Sequence, residues 1–237
     1  MCIPIATAAP VAPAVPLKAS EASPSGRSLP RIGDRAPQFI AQSTHGEINF
    51  DAWRDNKWTL LFSHPADFTP VCSTELVELG KRVREFDQRG VKLVGISVDS
   101  IHSHLAWVQN LKSILDVRLP YPLIADSNRA VSELYGMIHP GESATVTVRA
   151  LFFIDPKASI RAIIYYPLNI GRNVDEILRV VDALQTADGK GVACPVNWKP
   201  GDKVIVPPPK TEKDVDDRLA MQNVERLDFY LTKKTLA

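Results

Sequence analysis

Three cysteines in a chain of 237 residues are too few to staple a fold, so a disulfide framework is excluded and a reducing compartment, the cytoplasm, is expected. Charge of one sign is also lacking: 28 Lys and Arg stand against 27 Asp and Glu, with no basic stripe or charged block. That balance gives no electrostatic basis for a nucleic-acid partner or an anionic membrane surface. No apolar run reaches the length of a membrane span, and no internal repeat is found. No C-x-x-C pair surrounds Cys72, which argues against a disulfide oxidoreductase. A metal cluster is missing as well. His64 and Cys72 would supply two ligands where a tetrahedral site needs four, so no metal and no cofactor are expected. His45, His102, His104 and His139 read as surface or structural residues.

Hydrophobic periodicity is absent from residues 1–30, where six prolines and seven alanines occur without an aromatic. Such a stretch buries too little apolar surface to offset its ordering entropy and reads as a flexible arm, with Cys2 incidental. Prolines at 4, 10, 13 and 16 interrupt any signal-peptide core, whereas the lack of acids before Glu21 keeps a cleaved organelle transit peptide as the alternative.

From Arg31 the chain alternates strands and helices. Lys57 to Ser63 and Val91 to Val98 are short apolar runs that suit buried strands. Leu76, Leu79, Val83 and Phe86 recur at helical spacing, and Gly90 stands where a left-handed stop belongs. Leu105, Val108 and Leu115 form a second stripe. Residues 149–154 and 160–166 flank a hairpin turn, and Asn173 with Glu176 opens a helix in the manner of a capping box. A modest helix is expected around Asp214 to Gln222. The order implies an α/β fold with a mixed central sheet. It divides into the arm, a main domain over 31–190 and a C-terminal extension over 191–237.

Chemistry concentrates between Ser63 and Glu75, SHPADFTPVCSTE. A strand ends, prolines stiffen the turn, and a helix begins close to Cys72. A thiol there faces unpaired N–H groups at a helix N-terminus, which contributes only about 0.3–1 kcal/mol toward a thiolate. A nearby cation is needed as well. Without one, Cys72 reads as a small core residue.

The pattern Pro65…Thr69…Cys72 resembles the P-x-x-x-T-x-x-C active-site motif of the peroxiredoxins. Residues 31–39 (RIGDRAPQF) are similar to that family's opening segment, and 147–155 (TVRALFFID) to the strand carrying its active-site arginine. His64, Gly171-Arg172-Asn173 and the long C-terminal extension resemble the one-cysteine branch. The resemblance implies a thioredoxin-like fold, a hydroperoxide substrate, a thiol reductant and a homodimer or higher ring. It makes Cys72 the peroxidatic thiolate, with the Thr69 hydroxyl directed at sulfur and peroxide and Arg149 stabilising the developing charge. Pro65 and Pro70 flank the pocket together with Val71. Arg172 becomes a second cation, Glu75 orients one of the arginines, and His64 is either structural or a hydrogen-bonding neighbour.

Residues 191–201 (GVACPVNWKPG) resemble instead the segment that carries the resolving cysteine of two-cysteine members. Cys194, 122 residues after Cys72, is therefore a candidate resolving thiol. If it acts, a thioredoxin-like protein is the expected reductant; if not, a small thiol or another protein reduces Cys72 directly. The serine and glycines that accompany lipase activity in some members are missing from residues 55–59. A ring-forming holdase, or a peroxide-signalling partner with turnover secondary, is the competing functional class.

Overall fold

The computed structural model describes residues 29–236. All but the last two residues of the arm lie outside this range, as does Cys2. The described chain opens with β1 (Ile40–Ser43), β2 (Gly46–Asn49) and the short helix α1 (Phe50–Arg54). The strand expected over 57–63 is β3 (Trp58–Ser63), followed by α2 (Pro70–Lys81), α3 (Val83–Gln88) and β4 (Val91–Ser97). Next come α4 (Ile101–Leu115), β5 (Leu123–Ala125) and α5 (Ala130–Leu134). The expected hairpin forms as β6 (Arg149–Ile154) and β7 (Ile160–Tyr166), ahead of α6 (Val174–Lys190). The extension contributes β8 (Val204–Ile205), α7 (Glu212–Ala220), β9 (Glu225–Asp228) and β10 (Leu231–Lys234).

Seven strands form one mixed sheet in the order β2-β1-β5-β4-β3-β6-β7, and β8-β10-β9 form a small second sheet. β3 pairs in parallel with β4 and antiparallel with β6, so it lies near the middle and is buried on both faces. Alternation along β3 sends Leu60 and Phe62 to one face and Leu61 to the other. The first face is covered by apolar residues of α2, α3, α4 and α6, the second by α1 and α5. Among the described residues, no helix is long and apolar enough to cross a membrane.

Three local expectations need correction. The stripe from Leu76 to Phe86 is two helices, broken at Arg82 in the bridge region (φ −99°, ψ 9°). Both pieces pack on one apolar cluster, so periodicity runs across the break unaltered. In α4 the buried residues are His104, Trp107 and Leu111, whereas Leu105 and Leu115 are 45% and 47% exposed. The inward face starts one position earlier, at His104 and Trp107, and runs on to Leu111, with Val108 packed at its edge. Asn173 does cap α6, accepting from the Glu176 N–H at 3.2 Å, but the reciprocal half of the box is missing because Glu176 pairs with Arg179. A full capping box appears instead at Thr211 and Asp214, opening α7.

Candidate active site

β3 delivers the chain to a turn over residues 64–69, and α2 starts at Pro70 with Thr69 as N-cap. Proline suits that first helical position, where no intrahelical N–H bond is lost. Cys72 falls in the first turn and has 0% exposure, with its side chain in the cluster under α2. Phe68 precedes the cap in the left-handed region, φ +54°.

β6 runs antiparallel beside β3, with Phe62 opposite Leu151, so Arg149 at the start of β6 lies level with the end of β3. Its Nη1 donates to Cys72 Sγ at 3.3 Å and to Glu75 Oε2 at 2.6 Å. Its Nε and Nη2 donate to the Leu168 carbonyl at 3.1 and 2.5 Å, which fixes the guanidinium plane. Arg172 grips the same carboxylate from the other side, Nε to Oε1 at 2.8 Å and Nη2 to Oε2 at 2.9 Å. Its backbone N–H adds a third bond at 2.8 Å, and its Nη1 ties the carbonyls of Ser63 and Ala150 together. Glu75 therefore orients both arginines, where one was expected. Burial pushes the Glu75 carboxyl up, but the charge and hydrogen bonds of Arg172, with Arg149 behind them, outweigh burial and leave it below its ordinary value. Two guanidinium groups against one carboxylate leave one positive charge uncompensated beside the sulfur.

Other expected residues sit differently. The Thr69 hydroxyl donates to the Ala66 carbonyl at 2.8 Å and so is not directed at the sulfur as a donor. Pro65 is buried, Val71 half-buried and Pro70 exposed. His64 is buried, and its Nε2 faces Asp67 Oδ1 at 3.0 Å. Asp67 also meets His104 Nδ1, so three buried groups gather where the sequence offered no cluster. Burial pushes His64 below its ordinary value. Burial opposes ionisation of Asp67 too, but hydrogen bonds from His104 and His64 hold its carboxyl well below the usual range. Cys194 is half-buried beside Val192, Trp198 and Val204, with Sγ 3.5 Å from the Ala183 carbonyl.

Known proteins share the fold that carries this site. Residues 32–163 match the AhpC/TSA family, and residues 183–220 match the C-terminal domain of 1-Cys peroxiredoxin. A peroxiredoxin of Aquifex aeolicus is 52% identical over 217 residues, 87% of this chain and 97% of that protein. The structure of a yeast mitochondrial 1-Cys peroxiredoxin superposes with a TM-score of 0.78 at 41% identity, covering 87% of this chain and 99% of that one. A cysteine-to-serine variant of peroxiredoxin 6 from Arenicola marina gives 0.80 at 38% identity, covering 87% and 98%. Fold and relatives together define a thiol-dependent peroxidase on a thioredoxin-like scaffold. The chain belongs to the peroxiredoxin family, in its one-cysteine branch. A peroxide and a reducing thiol are accordingly its two reactants.

Proposed function

We propose that Cys72 attacks one oxygen of hydrogen peroxide or an organic hydroperoxide and becomes a sulfenic acid. An S–O bond forms as the O–O bond breaks; sulfur loses two electrons, and the departing oxygen leaves as water or alcohol after taking a proton. The observation that carries this reading is Arg149 Nη1 at 3.3 Å from Cys72 Sγ, in a site with one uncompensated positive charge that a thiolate balances. As the O–O bond stretches, the same guanidinium is placed to stabilise the oxygen taking on charge. Glu75 and Arg172 aim Arg149. With its hydrogen committed to Ala66, the Thr69 oxygen keeps lone pairs to accept from an incoming peroxide O–H. Buried Pro65 keeps water from the turn, and Pro70 and Val71 start the helix edge over which substrate arrives. A sulfur with no exposed surface favours small peroxides, which need the least local opening.

Regeneration then falls mainly to an external thiol, a thioredoxin-like protein or a small thiol, in a reducing compartment such as the cytoplasm. Cys194 is a slower route: its thiolate condenses with the Cys72 sulfenic acid of a second subunit, giving a disulfide and releasing hydroxide that leaves as water. Burial pushes the Cys194 thiol up, against a smaller opposing pull from Arg179, which holds that route back at neutral pH. We further propose a homodimer or higher ring, supported by the apolar surface of the extension, where Val196 is 87% exposed. Rapid-mixing peroxide consumption by wild type and Cys72→Ser tests the catalytic assignment: turnover vanishes in the variant, and wild-type turnover there would refute it.

A further inference from the structure

The cluster of His64, Asp67 and His104 is not used by the chemistry above, yet two of its members, His64 and Asp67, lie in the turn that feeds Cys72. The Asp67 carboxylate faces His64 Nε2 at 3.0 Å and lies against His104 Nδ1 at 2.8 and 3.0 Å. The other ring nitrogen of His104, Nε2, is 3.1 Å from the Ile124 carbonyl. His104 thus bridges the Asp67 carboxylate and the Ile124 carbonyl through its two ring nitrogens. Through it the 64–69 turn is fastened to α4, by His104, and to β5, by Ile124. The Asp67 backbone N–H adds the end of β4, donating at 3.0 Å to Asp99 Oδ2, which also accepts from Ser97 Oγ at 2.7 Å.

The residue after this anchor is strained. Phe68 has φ +54°, a region that non-glycine residues avoid, and the residue is 56% exposed with its ring 6.2 Å from that of Trp107, so packing of the ring alone does not hold it there. Beyond it come the N-cap Thr69 and the first turn of α2, which carries Cys72. We propose that Asp67 is a positioning residue for peroxide reduction. Clamped between His64 and His104, it holds Phe68 in the left-handed conformation and so sets where α2 presents the sulfur to Arg149. The inference rests on Cys72 being the nucleophile, and it acts through the backbone of residues 67–72, without contact between Asp67 and substrate.

The test measures two rates at Cys72 on the same folded preparations: sulfenic acid formation with hydrogen peroxide, and alkylation by iodoacetamide. Attack on peroxide needs alignment with Arg149, whereas alkylation needs only an ionised, reachable sulfur. Asp67→Ala is expected to slow the peroxide step roughly 10- to 100-fold while slowing alkylation far less. Asp67→Asn recovers most of that loss, since its amide can donate to His104 Nδ1 and accept from His64 Nε2. Adding Phe68→Gly to Asp67→Ala also recovers part of it, because glycine takes positive φ without strain. Should Asp67→Ala fail to fold, His104→Gln probes the same clamp. Equal slowing of both rates, or an unchanged peroxide rate in a folded Asp67→Ala, overturns the proposal. Peroxide turnover surviving in Cys72→Ser would instead defeat the reading beneath it, whatever the Asp67 variants do.

Discussion

Glu75 and Cys72, three residues apart on α2, share one donor: Arg149 Nη1 is 2.6 Å from Oε2 of the first and 3.3 Å from Sγ of the second. The carboxylate therefore aims the cation that touches the sulfur. Glu75→Ala leaves two buried guanidinium groups without their counter-ion, a loss expected to cost about 3–5 kcal/mol. Urea unfolding of the variant measures it. A change below about 1 kcal/mol would mean that the two arginines do not depend on Glu75.

Arg149→Met removes the donor that faces the developing negative charge. The peroxide rate constant is expected to fall roughly 10²- to 10³-fold, the range found when one such donor is lost. Stopped-flow consumption of hydrogen peroxide reads the effect directly. A decrease of less than about tenfold would transfer the electrostatic role to another group.

Acid should destabilise the fold in two stages. His64 is held below its ordinary value of 6.5, and Asp67 and Glu75 below 3.8 and 4.5, so in each case the unfolded chain binds protons more readily. Their stabilisation is complete above those values and is lost as pH falls. The thermal midpoint is expected to be level above about pH 7, to decline from about 6.5 and to drop more steeply below about 4.5. A midpoint that rises on acidification would contradict these assignments.

Intersubunit crosslinking should grow with pH. The Cys194 thiol lies above its ordinary value of 9.0, so below that value its thiolate fraction rises about tenfold per pH unit. After one equivalent of peroxide, non-reducing gels are expected to show a dimer band that strengthens toward alkaline pH and needs both Cys72 and Cys194. A band of equal strength at acid and alkaline pH would rule out Cys194 attacking as the thiolate.

Packing around the central strands leaves Gly95 no room. A Cβ there would come within 2.6 Å of Leu123 Cδ2 and 3.1 Å of Phe62 Cζ. Gly95→Ala should cost about 1–3 kcal/mol by overpacking. Equilibrium unfolding in urea provides the check.

Local sequence carried the layout of the fold well where apolar runs were dense: β3, β4 and the β6–β7 hairpin lie within a residue or two of their expected limits, and α6 opens after Asn173 as expected. It failed where polar residues are buried. His104 reads from sequence as surface or structural; it is structural, and the inward face of α4 runs through it in place of Leu105. The motif placed Cys72, and the strand resemblance brought Arg149 to it from 77 residues away. Asp67 carries no such signal, since nothing in a single sequence shows that an aspartate and a histidine 37 residues apart meet inside the protein. The double grip of Glu75 also depends on tertiary placement, since Arg172 arrives from the loop before α6.

Trapping the oxidised sulfur is the most direct trial of this account. Protein treated with one equivalent of hydrogen peroxide in the presence of dimedone should carry the adduct on Cys72 alone, and Cys72→Ser should carry none and consume no peroxide. An adduct on Cys194 with Cys72 left unmodified would contradict it.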